Sequence, residues 1–287
     1  MSLLLAILAQ IGPFPQSGVQ PVSPLPPEII ERKRLERERV PFPVAPPPQR
    51  ISGGLAVCLA QTRTDPSLAA DSAGKWLERA VEAERAEAGQ CLGVAQVQLE
   101  RWDEAETAFL AAYAAADSAS LGHRARLAAM AGNAALARGD AGAALAAFET
   151  ARTDAGARDD RFLAGDIAID RSRALVALGR EGEARDSLAE ARNAIPVNPQ
   201  AWLLSATLSR RMGELAMAQV QIQEAARLLP IDPEIGLEAG VIAMLAGNED
   251  AARKSWQSVV DTAPDSEVAR TAHAYLAQLG DEEAPTP

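Results

Sequence analysis

The sequence predicts an all-α chain, an α-solenoid of stacked helical hairpins preceded by a Pro-rich extended N-terminal segment. Three observations carry that prediction. Alanine supplies 61 of the 287 residues while aromatics supply only 4%, and alanine is the strongest helix former with little preference for strands. Eleven of the 19 prolines fall within the first 50 residues and none lies between Ser67 and Ile195, which keeps the helix-breaking residue out of most of the body. In the C-terminal half, four series of residues recur with one spacing of 34: Pro196, Pro230 and Pro264; Pro199 and Pro233; Gly179, Gly213 and Gly247; Ala184, Ala218 and Ala252.

Residues 1–18 open with an uncharged apolar run, Met1 to Gln10. It is too short for a bilayer span, which needs about 20 apolar residues. Its length suits the apolar core of a secretory signal peptide, with Ala9 and Gly18 near cleavage points, although no Lys or Arg precedes it. That reading places the protein in the periplasm or outside the cell; the alternative is the apolar terminus of a cytoplasmic protein. Residues 19–50 form a Pro-rich linker, with stiff polyproline segments at Pro24–Pro27, Pro41–Pro43 and Pro46–Pro48. Within it a short charged helix is expected over 28–39, behind Pro27 and with Glu28 and Arg32 at a favourable i, i+4 spacing. Its alternating signs read as a solvated spacer or as a docking helix. The first 50 residues carry +2 and the remainder −13 of a net −11.

From residue 51 the pattern is helical. Residues 51–85 hold two amphipathic segments joined at Asp65-Pro66, a divergent first hairpin. The periodic part then divides into 86–119, 125–158, 165–198, 199–232 and 233–266, with five or six extra residues after each of the first two. Each unit reads as a helix, a tight turn, a second helix and a stop. Glycine supplies the left-handed conformation after a helix, and proline ends the next one. A closing helix over 267–280 covers the last apolar face, as stacked repeats require, and 281–287 form an acidic tail.

These residues resemble the tetratricopeptide (TPR) repeat family, of bacterial type: a large residue opening the first helix, a small residue in its middle, a turn glycine, alanine, an aromatic and alanine down the second helix, and a closing proline. Residues 199–232 match best, through Trp202, Ala206, Gly213, Ala218, Ala225 and Pro230, with Ile222 in the aromatic place. Residues 233–266 supply Gly240, Gly247, Ala252, Trp256 and Pro264; residues 165–198 supply Ser172, Gly179, Ala184, Leu188, Ala191 and Pro196. Arg171 stands where an apolar residue is usual. Upstream, Gly132, Gly139, Ala144, Phe148 and Ala151 match, as do Gly93, Trp102, Ala105, Phe109 and Ala112.

The inventory offers little chemistry. An acidic chain is a poor match for nucleic acid, which needs a basic face. A nucleophile–base pair needs a His beside Ser or Cys, yet His123 and His273 lie 150 residues apart, and in a solenoid each repeat touches only its neighbours. No catalytic residue, cofactor site or metal site is expected. Asp159-Asp160 and Asp281–Glu283 lack the ligand spacing of a calcium loop. Cys58 and Cys91, 33 residues apart, fall in first helices of neighbouring hairpins and read as a disulfide, given export, or as two buried free thiols.

The resemblance implies that first helices line a concave groove for a partner segment. Matched onto this chain, the groove positions are Gln90, Val94 and Val97; Arg126, Ala129, Asn133 and Leu136; Asp166, Ile169, Arg173 and Val176; Gln200, Leu203, Thr207 and Arg210; Glu234, Leu237, Val241 and Met244. Of these, Arg126, Asn133, Arg173, Leu203, Arg210 and Met244 are the partner candidates. The carboxylate clamp of some family members is not matched, because only Asn133 fits it and no groove lysine is present. The expected function is a non-enzymatic interaction scaffold or adaptor that binds other proteins or peptides, with membrane contact confined to the N-terminal segment. The alternative is a regulatory or recruiting subunit of an envelope enzyme or of a secretion or assembly complex.

Overall fold

A computed structural model describes residues 52–158 and 160–280. The signal-like run, the Pro-rich linker with its 28–39 helix, and the acidic tail lie outside the described residues. Thirteen helices occupy the described part, and among the described residues there is no strand. In order they are α1 (Gly53–Gln61), α2 (Pro66–Arg79), α3 (Ala83–Gln98), α4 (Trp102–Ala115), α5 (Leu121–Ala137), α6 (Ala141–Gly156) and α7 (Arg161–Ala177). Then follow α8 (Glu181–Ala194), α9 (Pro199–Arg211), α10 (Leu215–Leu228), α11 (Pro233–Leu245), α12 (Glu249–Thr262) and α13 (Glu267–Leu279). Among the described residues no helix is long and apolar enough to cross a membrane.

The helix ends follow from local chemistry. Short polar side chains cap the starts: Asp65 accepts from Leu68 N, Asp140 from Ala143 N, Asp160 from Leu163 N, Asp232 from Ile235 N and Asn248 from Ala251 N, at 2.8–3.1 Å. Such a cap satisfies an N–H that the helix itself cannot. Pro66, Pro199 and Pro233 stand in the first helical turn, where a missing N–H costs nothing. The turns inside the hairpins share one design. At Gly139, Gly179, Gly213 and Gly247 the backbone is left-handed, with φ between 71° and 89°. The next residue's N–H reaches back to the carbonyl five before it, as in Asp140 to Ala135 at 2.9 Å and Asn248 to Ala243 at 2.9 Å. This is the Schellman stop. Glu100, with φ 57°, makes the same turn between α3 and α4 without a glycine.

Packing is mostly alanine on alanine, which lets helices approach closely, with one large residue at each hairpin centre. Phe109, Phe148, Leu188, Ile222 and Trp256 are all at most 3% exposed. Phe109, Phe148 and Trp256 lie against Gly93, Gly132 and Gly240, sixteen positions earlier in sequence, and Ile222 shares a core cluster with Ala206 at the same spacing; Ser172 holds that position before Leu188. First helices touch at several steps of the stack, α1 with α3, α5 with α7, α9 with α11 and α11 with α13, whereas successive second helices such as α6 and α8 make no substantial contact. The first helices therefore lie on the more closely packed side of the stack, its inner side.

Arg171, out of place by pattern, has a structural reason. Its Nε donates to Glu149 Oε1 at 2.6 Å, tying α7 to α6, and its side chain is 14% exposed.

Candidate interaction groove

The inner face is built from α3, α5, α7, α9 and α11. Its polar side chains bond across neighbouring first helices. His123 on α5 and Gln90 on α3 meet at 3.0 Å. Arg126 donates to Gly122 O at 3.0 Å and lies 3.9 Å from Asp160, at the start of α7. Asn133 donates to Asp170 Oδ2 at 2.9 Å, and Arg173 pairs with the same carboxylate. Arg210 on α9 grips Glu238 on α11 through two bonds, at 2.6 and 3.3 Å.

Three of the candidate arginines are thus engaged by carboxylates of their own chain. Asp166 is different. It lies on the exposed inner face of α7 and forms no ion pair or hydrogen bond with the described residues. The surrounding wall desolvates its carboxyl, and Asp170 and Asp160 repel its charge, so its pKa is raised above the usual carboxylate value despite Arg126 nearby. Burial also holds the His123 imidazole below its ordinary value, with Glu87 opposing and Arg126 adding to the effect.

Apolar recesses flank this acidic centre. A cavity of about 290 Å³ between α3, α4 and α5 is lined by Val94, Val97, Trp102, Phe109, Met130, Asn133 and Ala134. At the other end a cavity of about 370 Å³ is lined by Val241, Met244, Leu245, Trp256, Tyr275, Gln278 and Leu279. Met244 is 39% exposed there. Leu203 is not on the groove surface. It is 7% exposed and packs with Ala206, Ile222 and Ile235, and Ile169, 34 residues earlier, is likewise buried. That position in the first helix points between helices rather than into the groove.

Comparison with solved structures decides the fold. The chain is similar to TTC0263, a TPR protein of Thermus thermophilus, with 22% identity and a TM-score of 0.53 over 67% of this chain and 99% of that one. It is similar to YrrB, described as a TPR protein with an unusual peptide-binding site, with 20% identity and a TM-score of 0.51 over 71% and 99%. The fold is the TPR solenoid. A third similar structure is PilW, described as a widely conserved type IV pilus biogenesis factor, with 17% identity and a TM-score of 0.63 over 78% of this chain and all of that one. No family model and no curated protein matches the sequence.

In the TPR frame, α3 with α4, α5 with α6, α7 with α8, α9 with α10 and α11 with α12 are the hairpins, and α13 closes the stack. The structure brings Cys58 on α1 and Cys91 on α3 together, with Cα atoms 6.1 Å apart and the sulfurs bonded as a disulfide. The bond lies in a small core with Leu55 and Ala73. The two histidines stay apart, His123 on α5 and the exposed His273 on α13. Pattern reading missed the carboxylates that answer the arginines. One signal in the sequence could have found them: Asp160 and Glu238 follow Arg126 and Arg210 by 34 and 28 residues, close to one repeat.

Proposed function

We propose that this chain is a non-enzymatic scaffold or adaptor that holds a segment of a partner protein along the inner face of its TPR stack. One observation carries the reading: Asp166, an unpaired and partly desolvated carboxylate, stands between two apolar recesses on that face. A segment that suits this pattern has a Lys or Arg for Asp166 and apolar side chains on either side. Ion pairing would repay the desolvation that Asp166 suffers when free, and the apolar ends would supply most of the affinity. The separation of His123 from His273 supports a role without catalysis.

The disulfide supports residence in an oxidising compartment, the periplasm or outside the cell. The likeness to a pilus biogenesis factor favours a narrower version, a recruiting subunit of an envelope assembly complex.

Selection from a displayed library of random peptides tests the groove. Enriched peptides are expected to carry a basic residue flanked by apolar ones, and Asp166→Lys should abolish their binding while leaving the helical content unchanged. Peptides without a basic residue, or binding indifferent to Asp166→Lys, would overturn the reading.

A further inference from the structure

A second site lies away from the groove, on the side of the second helices. A cleft of about 750 Å³ opens between α8 and α10, lined by Arg185 and Arg192 of α8, Ser209 at the end of α9, and residues 213–217 and Gln221 at the turn and start of α10. Its volume is in the range of small-molecule sites.

Arg192 is the unusual member. It is half-buried, its guanidinium stacks on Trp202 with 5.3 Å to the ring centroid, and one N–H group donates to Ser205 Oγ. It forms no ion pair with any described residue, although burial penalises its charge and pushes its pKa below the ordinary arginine value. The preceding repeat supplies a comparison. Arg152 on α6 occupies the same phase, 40 residues earlier across the six-residue insertion, and it has carboxylates at 3.6 Å from both Glu149 and Glu190. The arginine in the more buried setting is the one left without a counter-charge.

The surroundings are polar where other repeats are not. Residues 34 positions from Ser209 are Leu175 and Ala243, and Ala226 stands 34 positions after Arg192. Gln221 is only 5% exposed; its Oε1 accepts from Ser209 Oγ at 2.9 Å, and its amide N–H groups have no partner among the described residues. Arg185, across the cleft, is exposed and loosely ion-paired with Asp186 at 3.7 Å and Glu214 at 3.9 Å, contacts too long to be hydrogen bonds, so its N–H donors stay open to a ligand. The apolar wall is Leu215, Ala216 and Met217.

We propose that this cleft binds an oxyanion, the carboxylate or phosphate group of a small organic ligand, between Arg192 and Arg185, with the apolar stem of the ligand against Leu215 and Met217. The free edge of a stacked guanidinium presents parallel N–H donors that match two oxygens of such a group. Gln221 adds a neutral donor, and the first N–H groups of α10, which Glu214 does not cap with its side chain, face the same anionic charge favourably.

The full chain, titrated with inorganic phosphate and separately with succinate at constant ionic strength, tests the proposal by calorimetry and by the arginine Nε–Hε NMR signals. Saturable binding of at least one probe is expected, with the Arg192 signal moving. The tighter probe tells phosphate from carboxylate ligands. Arg192→Gln, which keeps a donor for Ser205 but removes the charge, should weaken binding by roughly tenfold or more. The exposed Arg185→Gln should weaken it several-fold and serves as the decisive variant if Arg192→Gln fails to fold. Absence of saturable binding for both probes, or an affinity unchanged in these variants, would overturn the proposal.

Discussion

Gly132 of α5 lies against the ring of Phe148 of α6 so closely that a Cβ added to the glycine would stand 2.7 Å from the phenylalanine Cε1. The pair is one case of an exchange of volume along the stack. Glycine faces the aromatics Phe109, Phe148 and Trp256, whereas the larger Ala206 packs with the smaller Ile222. Overpacking a core costs about 1–3 kcal/mol, so Gly132→Ala should destabilise by that amount in urea unfolding. Adding Phe148→Ile should recover part of the loss, because the double variant recreates the Ala206–Ile222 pairing of α9 and α10. Simple additivity of the two changes would show that Gly132 is small for another reason.

Arg171 and Glu149 yield a second prediction. Glu149 is 42% exposed on its side chain and stays hydrated if its partner is removed, whereas Arg171 is 14% exposed. Arg171→Met keeps the buried stem and should cost less than about 1 kcal/mol. Arg171→Ala also opens space between α6 and α7 and should cost about 1–2 kcal/mol more. Equal losses in the two variants would assign the whole effect to the ion pair.

The extent to which this was legible in sequence follows from how far each signal reaches. Proline and glycine act within a few residues, so Pro199, Gly213 and Pro230 mark the ends of α9 and α10 directly. The 34-residue recurrence conveys the stacking. Orientation is harder, because each step along a helix turns a side chain by about 100°. Leu203 and Thr207 fall in neighbouring groove positions by pattern, yet Leu203 packs inside. Charges are harder still. Arg210 looks available to a partner until Glu238, one hairpin away, closes on it.

The disulfide should stabilise one end of the molecule. Closing a loop over a separation of 33 residues stabilises by about 3.5 kcal/mol in the chain-entropy model. In a solenoid that effect stays near the repeats it joins. Reduction, or Cys58→Ala with Cys91→Ala, should raise hydrogen exchange in α1 to α3 and leave α9 to α13 unchanged. Thiol labelling of protein taken from its native compartment without reductant should find no free thiol.

His123 contributes a pH dependence. Its native pKa lies below its unfolded value of about 6.5, so the unfolded chain takes up the proton more readily. Stability from this group is present at higher pH and declines as pH falls through that unfolded value. Chemical denaturation between pH 5 and 8 should show the slope in the wild type, and His123→Gln should flatten it. An unchanged slope would place the dependence on another group.

Asp166 has the opposite linkage, and it separates stability from binding. Its native pKa is raised by desolvation and by Asp170 and Asp160, so the folded chain holds the proton more tightly than the unfolded one. The charged form therefore destabilises the fold at neutral pH, and this penalty is relieved as pH falls through the native value and towards the unfolded value of about 3.9. Asp166→Asn removes the charge with little change in shape. At pH 7 it should stabilise the protein by no more than about 0.5 kcal/mol, since the side chain is exposed and its repulsions are screened; near pH 3 it should have no effect. If the groove takes a basic residue, the same substitution should weaken partner binding by roughly tenfold. A variant that is more stable yet binds less well identifies a charge kept for recognition. One that is less stable, with binding intact, would mean that Asp166 holds the groove together rather than serving its occupant.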